Sequence, residues 1–126
     1  MNLKLLGMTG AVLMLAGPAF AHHSFAMFDY NKEVTIAGEL KDLQWTNPHI
    51  HLLVNVPDGR GGIAEWDIEG ATPGNLRRTG WSRDVIKPGE KISIVIHPLK
   101  NGTTGGMLVR ASKSDGTAIG TAAAGN

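Results

Sequence analysis

The stretch that decides the fold is HIHLLVNVPDGRGGIAEWDIE, residues 49–69. From Ile50 onward every second residue of its first half is apolar, and the same alternation returns over residues 64–68. A period of two is the pattern of a half-buried β-strand, whose side chains point to opposite faces in turn. Because the Asp58-Gly59 pair lies between the two runs, the stretch predicts an antiparallel hairpin.

The same alternation assigns a face to two histidines and two carboxylates. If the apolar positions point to the core, His49 and His51 point outward, and Asp67 and Glu69 share that face on the next strand. A tight turn at the Asp-Gly pair predicts His51 opposite Asp67 and His49 opposite Glu69, and a register slip of one or two residues is the alternative. These carboxylates are candidates for orienting a metal-bound histidine. The simpler interpretation is a solvated row of cross-strand pairs, each worth about 0.2–1 kcal/mol.

Three more strands are predicted around the hairpin. The run EVTIAGELKDLQW, residues 33–45, switches its apolar parity once between Leu40 and Leu43, which is typical of a long bent strand, and Gly38 eases the bend. Shorter alternating runs occupy residues 91–98 and 106–113, and TPGNLRR at residues 72–78 indicates one short helix or a pair of turns. Three strands, a short helix and two strands predict an all-β fold, a five-stranded OB-like Greek-key barrel; an open β-sandwich is the alternative.

Residues 1–21 have the pattern of a secretory signal peptide. A single lysine precedes an apolar run that is too short to span a bilayer, and Ala19 and Ala21 stand at the −3 and −1 positions of a cleavage site. A retained buried helix and cleavage after Ala19 are the alternatives. We therefore expect a signal peptide over 1–21, a barrel domain over 22–112 and a flexible Gly/Ala-rich tail over 113–126. The mature protein would be periplasmic or secreted.

The composition excludes several classes of protein. Removal of residues 1–21 leaves 11 basic and 11 acidic residues, which argues against a nucleic-acid partner because such proteins carry a basic face. No other apolar stretch approaches the length of a membrane span. The chain contains no cysteine, so a metal must bind to histidine, carboxylate, amine or backbone.

Five histidines are the candidate metal ligands: His22, His23, His49, His51 and His97. Cleavage after Ala21 makes His22 the first residue, whose α-amine and ring Nδ1 chelate one ion; a third nitrogen from another histidine completes a histidine brace. Histidine at the second position offers another route, through the intervening amide. Both nitrogen-rich arrangements suit Cu(II). The competing interpretation is that His22 and His23 occur by accident in a flexible mature N-terminus.

The stretch FAMFDY, residues 25–30, follows these histidines and is rich in aromatic residues. A free tail is seldom so apolar. We expect the stretch to pack across the barrel and hold His22 and His23 near its surface, although a simple hydrophobic plug over a barrel end fits the same residues.

Two motifs carry a resemblance to a known family. The chain reads HHSFAMFD from residue 22 and WTNPH at residues 45–49. Together they resemble a family of small secreted bacterial proteins catalogued only as a domain of unknown function, over residues 22 to about 112. The resemblance implies export and the extent of the domain, and it implies no activity.

The predicted function is metal binding or delivery by an exported barrel, with copper as the favoured metal and a metal ion or a periplasmic protein as the partner. The alternative is a non-metal binding or assembly module that uses the outer face of the second and third strands, lined by Leu53, Asn55, Glu65 and Asp67. The sequence contains no G-x-S-x-G, H-E-x-x-H or phosphate-binding loop, so it predicts no catalytic residue.

Overall fold

The computed structural model describes residues 25–120. A 3-10 turn at Phe25–Met27 comes first, and the single α-helix of the described chain, α1, spans Pro73–Arg78. In the part of the chain that the structure describes, neither helical segment is long and apolar enough to cross a membrane. The strands are β1 (Val34–Gln44), β2 (His51–Pro57), β3 (Ile63–Glu69), β4 (Lys91–Pro98), β5 (Gly105–Lys113) and β6 (Ala118–Ile119).

The strands form a closed barrel. Their order is β3-β2-β1-β4-β5-β6, and a parallel pairing of β3 with β5 closes the first five strands on themselves. The expected five-stranded OB-like Greek-key barrel is confirmed, with its short helix between β3 and β4. Thr72 caps α1 by accepting a hydrogen bond from the Asn75 backbone, and Pro73 occupies the first turn.

Strand β1 serves two neighbours because it bends. Its first half pairs with β4 and its second half with β2, and the register shifts between Leu40 and Asp42. At Gly38 a Cβ atom would lie 2.2 Å from the carbonyl oxygen of Asn55, so only glycine permits this approach of β1 to β2. The predicted bend is therefore present, and glycine is required where the two strands meet.

The hairpin of β2 and β3 has the predicted faces and a shifted register. Leu52, Val54 and Ile68 are completely buried in the core. The backbone partner of His51 is Glu69 rather than Asp67, a shift of two residues from the predicted register. The prediction of a tight turn was wrong, because a five-residue loop, residues 58–62, joins the strands after their last pair, Pro57 and Ile63.

The core extends beyond the predicted end of the domain. Ile119 of β6 is 4 % exposed and belongs to the core cluster, although residues 113–126 were expected to form a flexible tail. Its backbone pairs with Ala111 of β5. The folded domain therefore continues past residue 112, because this isoleucine has apolar surface to bury among otherwise small residues.

Candidate functional site

The segment that follows the N-terminal histidines is attached to the end of β4. The Asp29 amide donates to the Pro98 carbonyl at 2.8 Å, and the Lys100 amide donates to the Met27 carbonyl at 2.9 Å. Between these bonds Phe28 forms a bridge with Leu99. The expectation that this aromatic stretch packs on the barrel holds for the described residues. His22 and His23, the first two predicted ligands, lie outside them.

His49 lies two residues before the start of β2 and contacts both a carboxylate and an aromatic ring. Its position follows from the backbone of Ile50, which bonds to Gly70 and Ala71 beyond the end of β3. The Nδ1 atom of His49 is 2.5 Å from Oε1 of Glu69, whose side chain is only 12 % exposed. The ring of Phe25 meets the His49 ring edge to face, with 6.3 Å between the centroids.

His51 forms the second predicted pair on this face. Its Nδ1 atom is 2.7 Å from Oδ1 of Asp67. The two side-chain pairs, His49 with Glu69 and His51 with Asp67, are those predicted from the sequence, although the backbone register is not. Side chains on one face of a sheet reach diagonal neighbours as well as direct partners, which allows the pairs to form despite the shift.

His97 lies at the end of β4, next to the N-terminal segment. Its Nδ1 atom is 2.8 Å from the backbone carbonyl oxygen of Lys32. The Tyr30 ring packs on the His97 ring with 5.1 Å between centroids. Burial raises the pKa of the Tyr30 phenol, and the negative charge of Glu69 raises it further. Tyr30 thus lies within electrostatic range of the carboxylate that holds His49.

The three histidines of residues 25–120 share one feature, which is that Nδ1 of each ring lies close to an oxygen atom. The oxygen belongs to a carboxylate for His49 and His51 and to the backbone carbonyl of Lys32 for His97. In a neutral ring a proton on Nδ1 satisfies this contact and leaves the lone pair on Nε2. Metal-binding histidines show this arrangement, in which the bond at one nitrogen fixes the tautomer and orients the other.

These histidines do not by themselves form a complete metal site. Within residues 25–120 no three side chains of histidine, aspartate, glutamate or cysteine are grouped so that they could hold a metal ion. The structure brings His49 and His51 to one region with their carboxylates and places His97 against Tyr30 instead.

Met107 is a neighbour of these groups that the sequence analysis did not identify. It is the partner of Glu69 in the β3–β5 pairing and of His97 in the β4–β5 pairing. Directly paired residues leave a sheet on the same face, so Glu69, Met107 and His97 form a row across three strands. The alternation along β5 already showed in the sequence that Met107 faces away from the side of Leu108. The parallel pairing of β3 with β5, which puts Met107 beside Glu69, was not visible there.

A shallow cavity of about 520 Å³ lies at the far end of β2 from His51. Asn55 and Pro57 contribute to it from β2, and Ala37, Gly38 and Ser93 from the strands beside it. No histidine lines this cavity, so it is separate from the histidine–carboxylate pairs.

The profile of a family of unknown function, DUF6152, matches residues 11–110. Because this match covers more than half of the chain, the chain belongs to that family. No curated protein and no solved structure matches the chain.

Proposed function

We propose that the protein is exported and binds one Cu(II) ion between its N-terminal histidines and His49. In this proposal the α-amine and the ring Nδ1 of His22 chelate the ion, and Nε2 of His49 supplies a third nitrogen. His23 offers a second chelating route, and His51 lies on the same face as His49. Three nitrogen ligands suit Cu(II), which favours tetragonal nitrogen coordination. The role would be binding or delivery to another protein of the same compartment.

The observation that carries the proposal is the close contact between Nδ1 of His49 and the carboxylate of Glu69. In the neutral ring a proton on Nδ1 would face this carboxylate and leave Nε2 for an ion. Glu69 is mostly buried, whereas 29 % of the His49 side chain is exposed, so the ring remains accessible while its partner is held in place. A surface histidine without such a partner would rotate and would select no tautomer.

The position of Phe25 supports the participation of His22. Phe25 contacts the His49 ring and follows His22 by three residues. Three extended residues span at most about 11 Å, so a tether of this length would allow His22 to reach the region of His49. Attachment of residues 27–29 to the end of β4 restricts the start of that tether. Such restriction lowers the entropy cost of closing a site around an ion.

The test compares N-terminal variants by Cu(II) titration and electron paramagnetic resonance. Mass and N-terminal sequence of the exported protein first establish whether it begins at His22. We expect an added glycine before His22 to alter the nitrogen hyperfine pattern, because it moves the amine out of chelating reach while keeping every imidazole. His49→Ala should also alter it, and His97→Ala is the matched control that should leave it unchanged.

Two results would contradict this proposal. A spectrum that is indifferent to both the added glycine and His49→Ala would mean adventitious binding. A mature chain that begins elsewhere than His22 would remove the chelating amine.

The cavity at the far end of β2 favours a second candidate, binding of a non-metal ligand. Asn55, one of the residues predicted to line such a face, contributes to it together with apolar groups such as Ile63. This function needs no free N-terminus. Binding of a short peptide or sugar that survives the added glycine and is lost on Ser93→Trp would support it.

A further inference from the structure

His97 and Met107 place a second pair of metal-ligating atoms on the outer face of the barrel. They are direct partners in the antiparallel pairing of β4 with β5. Their side chains therefore leave the sheet on the same face, with Cβ atoms about 5 Å apart. The Nδ1 atom of His97 is bound to the Lys32 carbonyl, so Nε2 is the free nitrogen of this pair.

Met107 is buried without belonging to the barrel core. It is 7 % exposed, yet the core cluster includes its neighbour Leu108 and not Met107 itself. Phe28 has the same property, being 4 % exposed and outside the core cluster. Both side chains are therefore buried in contacts on the outside of the barrel.

Aromatic rings of the N-terminal segment lie beside His97 on the outside of the barrel. The Tyr30 ring packs on His97, and the Phe28 ring packs edge to face on Tyr30 with 6.3 Å between centroids. The N-terminal segment carries both rings and is bonded to the end of β4. The imidazole of His97 thus lies between an aromatic ring of the N-terminal segment and its pairing partner Met107, which is itself buried.

We propose that His97 and Met107 form a second copper site, selective for Cu(I). Thioether sulfur is a soft ligand that favours Cu(I) over harder divalent ions, and imidazole is compatible with it. This inference goes beyond the Cu(II) site proposed above and shares no ligand with it. The competing explanation is that Met107 only fills space, in which case leucine would serve equally well.

The first test uses Ag(I), a redox-stable substitute for Cu(I), and nuclear magnetic resonance of methionine methyl groups in the exported protein without residues 1–21. Within residues 25–120 the methionines are Met27 and Met107, so Met27 is an internal control. Leucine variants assign the two signals. We expect one equivalent of Ag(I) to shift the Met107 methyl signal and to leave that of Met27 unchanged. The Met107 shift should disappear in His97→Gln.

The second test measures Cu(I) affinity by competition with a chromogenic chelator. Met107→Leu preserves side-chain volume and should lower the affinity at least tenfold, whereas Met27→Leu should not change it. The Cu(II) resonance spectrum should be the same in both variants.

Equal Ag(I) shifts at both methionines, or a Met107 shift that survives His97→Gln, would overturn the Cu(I) site. So would an unchanged Cu(I) affinity in Met107→Leu. None of these results bears on Cu(II) binding by the His22 amine, so the two proposals fail independently.

Discussion

Substitution of Glu69 by glutamine tests whether a carboxylate prepares His49 for a metal. The change keeps the size of the side chain and removes its charge, so Nδ1 of His49 loses its ionic acceptor at 2.5 Å. Removing a carboxylate that orients a metal-bound histidine typically lowers metal affinity 10- to 100-fold. At about 1.4 kcal/mol per tenfold, this corresponds to a loss of about 1.4–2.8 kcal/mol. Because only 12 % of the Glu69 side chain is exposed, solvent screens the interaction weakly.

Glu65→Gln is the matched control for this experiment. Glu65 lies on the same strand and forms an ion pair with Lys41 rather than with a histidine, and its side chain is 46 % exposed. Both variants change the net charge equally. Competition titration with a Cu(II) chelator should show the 10- to 100-fold loss for Glu69→Gln and a change of less than about twofold for Glu65→Gln. Equal losses would attribute the effect to overall charge, and no loss in Glu69→Gln would refute the role assigned to this carboxylate.

Two further predictions concern titration and packing. Tyr30 is the only tyrosine, so ultraviolet titration reports its phenol alone, and Glu69→Gln should lower its raised pKa because one of the two causes is removed. The pKa of Tyr30 in the folded protein lies above the unfolded value of 10.0. The stability that neutral Tyr30 contributes is therefore present below pH 10.0 and is lost as pH rises through the folded pKa. An unchanged Tyr30 pKa in Glu69→Gln would place Glu69 out of electrostatic range. Gly38→Ala should destabilise the fold by about 1–3 kcal/mol in urea unfolding, because a Cβ would meet the Asn55 carbonyl. Gly74→Ala in α1, where a Cβ meets nothing within 4 Å, should instead stabilise by about 0.5–1 kcal/mol, and the opposite order would contradict the observed approach of β1 to β2.

Local alternation was sufficient to predict the elements and their faces. In β2 the apolar parity identified Leu52 and Val54 as core, and it put His49 and His51 on the other face. The His51–Asp67 and His49–Glu69 pairs followed from the same parity. Their backbone register did not, because it depends on the length of the loop between the strands, and the Asp-Gly pair marks a turn without determining that length.

The remaining features of the site depend on contacts between residues that are distant in the chain. Met107 is beside Glu69 only because β3 and β5 pair in parallel when the barrel closes. Tyr30 reaches His97, and Phe25 reaches His49, only because the N-terminal segment bonds to the end of β4. A period of two is a property of neighbouring residues and specifies a face, whereas these neighbours are selected by the closure of the whole sheet. Alternation along the chain therefore determined which residues face outward, and barrel closure determined which of them meet.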